Sequence, residues 1–124
     1  MKFYVCAHCG NIIAFVRNTG VPVMCCGEKM QEIVPNTTEA ATEKHLPVIH
    51  ADGREVRVCV GSTAHPMAAE HHIAWIALHT RQGNQRKELQ PGDKPEACFS
   101  LCEGDEVVAA YAYCNLHGLW KTEA

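Results

Sequence analysis

The sequence predicts a mostly β protein, in which a small metal-bound N-terminal domain precedes an immunoglobulin-like antiparallel β-sandwich. Three observations lead to this prediction. Short apolar runs with a two-residue alternation recur along the chain, as they do in half-buried strands. Turn-forming residues separate these runs at the spacing typical of sandwiches. Four of the eight cysteines lie within the first 26 residues. We therefore expect two domains, at residues 1–36 and 37–124.

The N-terminal segment consists of short strand-like pieces around cysteines. Residues 2–5, 12–16 and 21–24 are the predicted strands, with glycines as turn residues between them. A segment of about 35 residues cannot bury a core large enough to fold alone. It therefore needs a metal or a partner to hold it.

A short helix is predicted at the start of the second domain. Residues 38–44 have helical character, with Thr37 or Thr38 as the N-cap and Glu39 in the first turn. Strands then dominate the rest of the chain. Asp52-Gly53 is a strong hairpin signal, and the residues from 90 to 93 form a turn. The predicted strands are residues 47–51, 54–60, 72–80, 97–101 and 106–113.

Composition excludes several classes of partner. The 124 residues carry a net charge of −3, with no basic patch of the kind that nucleic acid requires. No apolar run approaches the roughly 20 residues that cross a bilayer. The chain reaches Cys6 too soon for a signal peptide, so we expect a cytoplasmic protein without nucleic-acid or membrane partners. In a reducing cytosol, eight cysteines indicate metal ligands or reactive thiols.

The first candidate metal site has four cysteines. Cys6 and Cys9 form a Cys-x-x-Cys pair, and Cys25 and Cys26 follow fifteen residues later. Four thiolates favour tetrahedral zinc or iron. The adjacent pair departs from the second Cys-x-x-Cys of an ordinary structural zinc knuckle. Spacing alone does not choose between zinc and iron.

The second candidate site combines histidines with a cysteine. Its members are spread over three loops, at His45, His65, His71, Cys114 and His117. A single histidine is more often a surface or capping residue than a ligand. Here each one lies at the edge of a predicted strand or turn, where scaffolds place functional groups. His71 and His72 face opposite ways in an extended stretch, so only one of them is expected to point at a metal.

Several sequence blocks resemble one family. Residues 43–48, 64–67, 71–75 and 113–121, in this order, resemble superoxide reductases. The leading Cys-x-x-Cys followed by Cys-Cys resembles the desulforedoxin module. Together they resemble the two-iron superoxide reductases, the desulfoferrodoxins, over nearly the whole chain.

The resemblance implies a role for each candidate residue. It implies one iron with four equatorial histidines, an axial thiolate and an open sixth position, held by His45, His65, His71, His117 and Cys114. A second iron would be held by Cys6, Cys9, Cys25 and Cys26, where zinc is a possible substitute. Glu43 would be the carboxylate that binds the oxidised iron, and Lys44 would lie close to the open position. Cys59, Cys98 and Cys102 match no ligand position.

The resemblance also implies an activity: the one-electron reduction of superoxide to hydrogen peroxide. It implies a rubredoxin-type electron donor and a homodimer as well. Two alternatives stay open, a non-catalytic iron electron carrier and a structural zinc-binding protein. Without the resemblance, Glu43 and Lys44 would be an ordinary solvated pair at a helix end.

Overall fold

The computed structural model describes residues 1–124 and divides into two compact units. The cysteine unit is Met1–Val34, and the sandwich unit is Pro35–Ala124. No helix in the structure has the length and apolar character needed to cross a membrane.

The cysteine unit is built from five very short strands. They are β1 (Phe3–Val5), β2 (Ile12–Ala14), β3 (Met24–Cys25), β4 (Glu28–Lys29) and β5 (Gln31–Ile33). The order β2-β1-β5 forms an antiparallel sheet, and β3 and β4 form a separate hairpin. Cys26 and Gly27 turn this hairpin with positive φ angles of 51° and 77°. Few apolar side chains are buried in this unit, chiefly Phe3 and Met30.

The predicted strand at residues 21–24 is largely absent, since only Met24 of that stretch lies in a strand. Pro22 explains the difference, because proline has no backbone N–H to donate to a strand ladder. The preceding predicted strand, at residues 12–16, ends at Ala14.

The sandwich unit has one helical turn and seven strands. They are α1 (Thr42–His45), β6 (Pro47–Asp52), β7 (Glu55–Val60), β8 (Ile73–Thr80), β9 (Gly83–Glu88), β10 (Glu96–Ser100), β11 (Val107–Cys114) and β12 (Gly118–Glu123). One sheet has the order β10-β7-β6 and the other the order β12-β11-β8-β9, and all pairs are antiparallel. The prediction of a mostly β chain with a small cysteine domain and a larger immunoglobulin-like sandwich is confirmed.

The core of the sandwich unit lies between its two sheets. One sheet contributes Val56, Val58 and Phe99, and the other contributes residues such as Ile76 and Leu78, all almost completely buried. The alternation expected for β7 is observed, since Val56, Val58 and Val60 are buried. The β6–β7 hairpin turns at Gly53 and Arg54, one residue later than the expected Asp52-Gly53.

The predicted N-cap of the helix is wrong. The single turn α1 starts after Ala41, which makes no side-chain capping bond, and Thr37 and Thr38 precede it. The turn stops at Leu46 because the residue before a proline disfavours the helical conformation.

The loop after β7 holds this short turn in place. The carbonyl of Glu43 accepts hydrogen bonds from the Thr63 N–H at 2.9 Å and the Ser62 hydroxyl at 3.2 Å. A Cβ atom added at Gly61 would lie 2.6 Å from that same carbonyl oxygen. Tertiary contacts with a loop, in place of a cap, therefore fix the turn that leads to His45.

Candidate metal centres

The cysteine unit brings the four predicted thiols together. Cys6 follows β1, Cys25 ends β3, and Cys26 begins the tight turn after it. The sulfurs of these three residues and of Cys9 lie within 4.8 Å of one another. The Cys9 and Cys25 sulfurs are 3.6 Å apart.

The thiols of this cluster influence one another's ionisation. Hydrogen bonds from the backbone of Cys9, and next of His8, lower the pKa of Cys6 to about 6. The sulfur of Cys9, and next that of Cys6, raises the pKa of Cys26 to about 12. Four thiolates this close ionise together only if a cation neutralises them. The donor set therefore fits a tetrahedral metal ion.

Four segments of the sandwich unit supply the five residues of the second cluster. His45 ends α1, His65 and His71 lie between β7 and β8, Cys114 ends β11, and His117 precedes β12. The candidate ligand atoms of His45, His65, His71 and Cys114 lie within 4.8 Å of one another. His117 joins them, since its Nδ1 is 3.1 Å from His45 Nε2 and 3.9 Å from the Cys114 sulfur.

The four imidazoles form a closed ring, the imidazole square. Its sides, measured between ring centroids, are His45–His65 at 4.7 Å, His65–His71 at 4.7 Å, His71–His117 at 5.1 Å and His117–His45 at 5.0 Å. Neighbouring rings are nearly perpendicular, at 80–82°. The diagonal from His45 to His71 is 6.4 Å. Four ligands in such a square leave both faces to other groups.

Hydrogen bonds orient two of these rings. His45 donates from Nδ1 to the Ala41 carbonyl and His65 from Nδ1 to the Pro66 carbonyl, each at 2.7 Å. These bonds set the tautomer in which Nε2 keeps a free lone pair. The two Nε2 atoms then face each other at 3.2 Å. His71 Nε2 and His72 Nδ1 are both buried without a hydrogen-bond partner, but only His71 lies in the cluster of ligand atoms, where such an atom fits a metal ligand.

Burial keeps three of the four imidazoles neutral. It lowers the pKa of His45 and His71, and it lowers the pKa of His65 to about 4. Neutral imidazole is the form that binds a metal. Cys114 is fully buried, and its sulfur accepts a hydrogen bond from the His117 N–H at 3.4 Å.

The two predicted catalytic residues lie beside this cluster. Glu43 and Lys44 are exposed on α1, and neither side chain joins the ligand atoms of the imidazole square. Burial has the largest effect on the pKa of His45 and lowers it, and the hydrogen bond to Ala41 raises it. The charges of Lys44 and Glu43 have smaller effects: Lys44 lowers this pKa and Glu43 raises it. Both charges therefore lie close enough to His45 to influence its pKa.

Three cysteines stay outside both clusters. Cys98 and Cys102 are exposed, and the Cys59 sulfur lies 3.5 Å from a Glu96 carboxylate oxygen. Sequence reasoning missed another neighbour of the imidazole square, Trp120. Its ring is 4.9 Å from that of His45, and its Nε1–H donates to the His117 carbonyl at 3.2 Å. Trp120 lies in the block of residues 113–121, but the sequence of that block did not predict these contacts.

Known proteins resemble the chain along its whole length. Residues 37–123 match the sequence profile of the desulfoferrodoxin family. A desulfoferrodoxin from Nitratidesulfovibrio vulgaris is 46% identical over 123 residues, which cover 99% of this chain and 96% of that protein. The crystal structure of the superoxide reductase from Treponema pallidum superposes with a TM-score of 0.83 at 42% identity, covering 98% of both chains.

A shorter protein matches part of the chain. The superoxide reductase (1Fe-SOR) from Giardia intestinalis is 34% identical with a TM-score of 0.57, and it covers 67% of this chain and 98% of its own. The family profile, a relative matched nearly end to end and a similar solved structure all point to the same family. The chain belongs to the desulfoferrodoxin family.

Proposed function

We propose that the protein is a superoxide reductase. One superoxide anion, one electron and two protons give one molecule of hydrogen peroxide, with no oxygen released. The observation that supports this most is the imidazole square with the buried Cys114 thiol beside it and an unpartnered Nε2 on His71. The solved structures from Treponema pallidum and Giardia intestinalis are both superoxide reductases.

We propose iron as the metal of this site. Structural zinc is almost always bound by four ligands. Here five donors converge, from His45, His65, His71, His117 and Cys114. When bound, iron supplies the electron that superoxide takes up. In the cysteine unit, Cys6, Cys9, Cys25 and Cys26 would hold a second iron, with zinc as a possible substitute.

The protein's own groups prepare the site for this chemistry. Neutral imidazoles bind a metal without adding charge, and burial keeps His45, His65 and His71 neutral. The Cys114 thiolate provides the single negative charge, and the His117 N–H stabilises it.

We assign supporting roles to the exposed pair on α1. Lys44 places a positive charge next to His45, which attracts an anionic substrate toward the site. Glu43 is a carboxylate ligand available to the oxidised metal. Both are carried on the turn that ends at His45, so their positions are tied to the site.

A rubredoxin-type protein is the proposed electron donor, because each turnover consumes one electron. We also propose a homodimer. In its support, the cysteine unit exposes large apolar side chains, among them Val16, Val21 and Met24. A unit of this size does not have enough core to stand alone. Light scattering of the purified protein, with Val21→Glu for comparison, tests the dimer: a monomeric parent would contradict it.

Two measurements test the function. Metal analysis should give two metals per chain with iron in the sandwich unit, and two zinc ions without iron would assign a structural protein. Stopped-flow mixing with superoxide should then oxidise the reduced iron rapidly. An iron protein that superoxide does not oxidise would be an electron carrier.

A further inference from the structure

We propose that Asn115 is a positioning residue, which fixes the direction of the His71 imidazole relative to Cys114. It does so by holding the main chain on both sides of His71. The proposal rests on the proposed metal site and adds a residue that is not a ligand.

Asn115 makes three hydrogen bonds to the residues that flank His71. Its Nδ2 donates to the Glu70 carbonyl at 3.1 Å, and its Oδ1 accepts from the His72 N–H at 2.9 Å. Its own backbone N–H donates to the His72 carbonyl at 3.2 Å. The residue next to Cys114 is thus tied to the positions immediately before and after His71.

His71 depends on this support more than its neighbours in the imidazole square. His45 and His65 each have a ring N–H bonded to a carbonyl, which orients the ring directly. His71 Nε2 has no partner within the protein. The only regular pairing at His71 is a bridge to Ala68, in which both backbone N–H groups donate. The direction of the His71 ring is therefore set by its main chain.

The strand ladder does not provide this support. The register between β11 and β8 is shifted between Tyr113 and Cys114, so that Cys114 pairs with Ile73. Such an irregularity redirects a side chain and interrupts regular pairing. The Asn115 bonds continue the connection past this point. Asparagine suits the task because one amide both donates and accepts, which a carboxylate cannot do.

The test compares Asn115→Asp with a matched control, Asn36→Asp. Like the Asn115 amide, the Asn36 amide makes one donated and one accepted hydrogen bond to the main chain. It donates to the Lys121 carbonyl at 3.1 Å and accepts from the Lys121 N–H at 2.9 Å. Lys121 lies on β12, four residues beyond His117. Both changes replace an amide donor by a carboxylate, but only the Asn115 amide bonds to the residues on both sides of His71.

The readout is the Cys114 charge-transfer band of the oxidised iron protein, obtained by subtracting the spectrum of Cys114→Ser, because the thiolates of the cysteine unit also absorb when they hold iron. Loss of metal to a chelator is followed at this band. Asn115→Asp should shift the band and release the metal about 10- to 100-fold faster, the usual effect of removing a group that orients a ligand. Asn36→Asp should match the parent. An Asn115→Asp protein that also matches the parent overturns the proposal.

Two further variants separate positioning from folding. In a His71→Ala background, Asn115→Asp should have little additional effect on release, because its target is gone; an undiminished effect overturns the proposal. Asn115→Ala repeats the test without a new charge. If both Asn115 variants lose their circular dichroism while Asn36→Asp keeps it, the role is structural and the proposal fails.

The test can fail separately from the proposed function. Superoxide reactivity of the parent is measured by itself, and its absence would remove the function without affecting the release rates. If the parent carries no iron, the cobalt(II)-loaded protein and its Cys114 thiolate band replace it in the same comparison.

Discussion

At the scale of single residues, Cys114 is the most buried of the ligand candidates. Its side chain is completely inaccessible to solvent. The next residue in the chain is Asn115, which accepts a hydrogen bond from the main chain beside His71. Cys114→Ser should abolish the charge-transfer band of the oxidised site, because a serine hydroxyl stays protonated and binds iron weakly. The visible spectrum with an iron count checks this.

Cys59→Ser is the matched control for Cys114→Ser. Cys59 is in the same unit and half-buried, but it lies beside Glu96 and away from the imidazole square. Its substitution should leave the band unchanged. A band that survives in Cys114→Ser would remove Cys114 from the ligand set.

Lys44 carries a positive charge next to His45, but its side chain is not one of the candidate metal ligands. Lys44→Ala should slow the oxidation of the reduced iron by superoxide about tenfold, at the lower end of electrostatic steering effects. The metal content should not change. Stopped-flow rates at rising ionic strength measure this, since salt screens steering.

Lys94→Ala removes the same charge from an exposed turn of the sandwich unit. It should slow the reaction much less than Lys44→Ala. Equal effects of the two variants, or a Lys44→Ala rate that equals that of the parent, would contradict a local role for Lys44.

At the scale of elements, α1 depends on its fit against the loop after β7. A Cβ at Gly61 would approach the Glu43 carbonyl oxygen to 2.6 Å and the Leu46 carbonyl oxygen to 3.0 Å. Both neighbours are backbone, so the turn must move. Gly61→Ala should lower the free energy of unfolding by about 1–3 kcal/mol, the usual cost of overpacking. It should also speed the release of metal, because the same turn carries His45.

Urea unfolding and chelator release measure these two effects. Ser62→Ala is the control, because it removes only one exposed hydrogen bond to Glu43 and adds no atom. It should cost about 1 kcal/mol or less. Gly61→Ala with the stability and release rate of the parent would show that the turn moves freely.

The strands predicted from the sequence were those with an apolar alternation or a continuous apolar run. Strands β7, β8 and β11 were foreseen within a residue or so at each end. Strand β9, Gly83–Glu88, was not, because it is an edge strand made of polar and charged residues, which protect an edge but hide its periodicity. The α1 turn was misplaced because contacts distant in sequence fix it.

The site was predicted in a different way from the fold. Residue chemistry pointed to two metal centres and grouped residues as distant as His45 and His117, 72 positions apart, and family resemblance supplied the role of each ligand. The resemblance already implied four equatorial histidines, and the structure adds their distances and the hydrogen bonds of Asn115 around His71. The contacts of Asn115 and Trp120 were not predictable, because neither residue is a metal ligand and each acts by donating a side-chain hydrogen bond to a backbone carbonyl.

At the scale of the whole molecule, the two units differ in what holds them together. The sandwich unit has an extensive apolar core, whereas the cysteine unit has few buried side chains. Cys9→Ser should therefore remove the metal of the cysteine unit and unfold residues 1–34. The band of the sandwich unit should persist.

Limited proteolysis with mass spectrometry checks the fate of the cysteine unit. Cys102→Ser, which replaces an exposed cysteine outside both clusters, is the control and should stay resistant. Protection of residues 1–34 in Cys9→Ser would show that this unit folds without its metal.

The sequence positions of the two ligand sets give the centres different histories during synthesis. All four sulfurs of the cysteine unit precede the first ligand of the imidazole square, His45. The imidazole square also needs His117, which follows Cys26 by 91 residues (117 − 26). Because chains emerge from the N-terminus, the cysteine unit has its complete ligand set before the imidazole square does. A metal ion bound during translation would therefore enter the cysteine unit first.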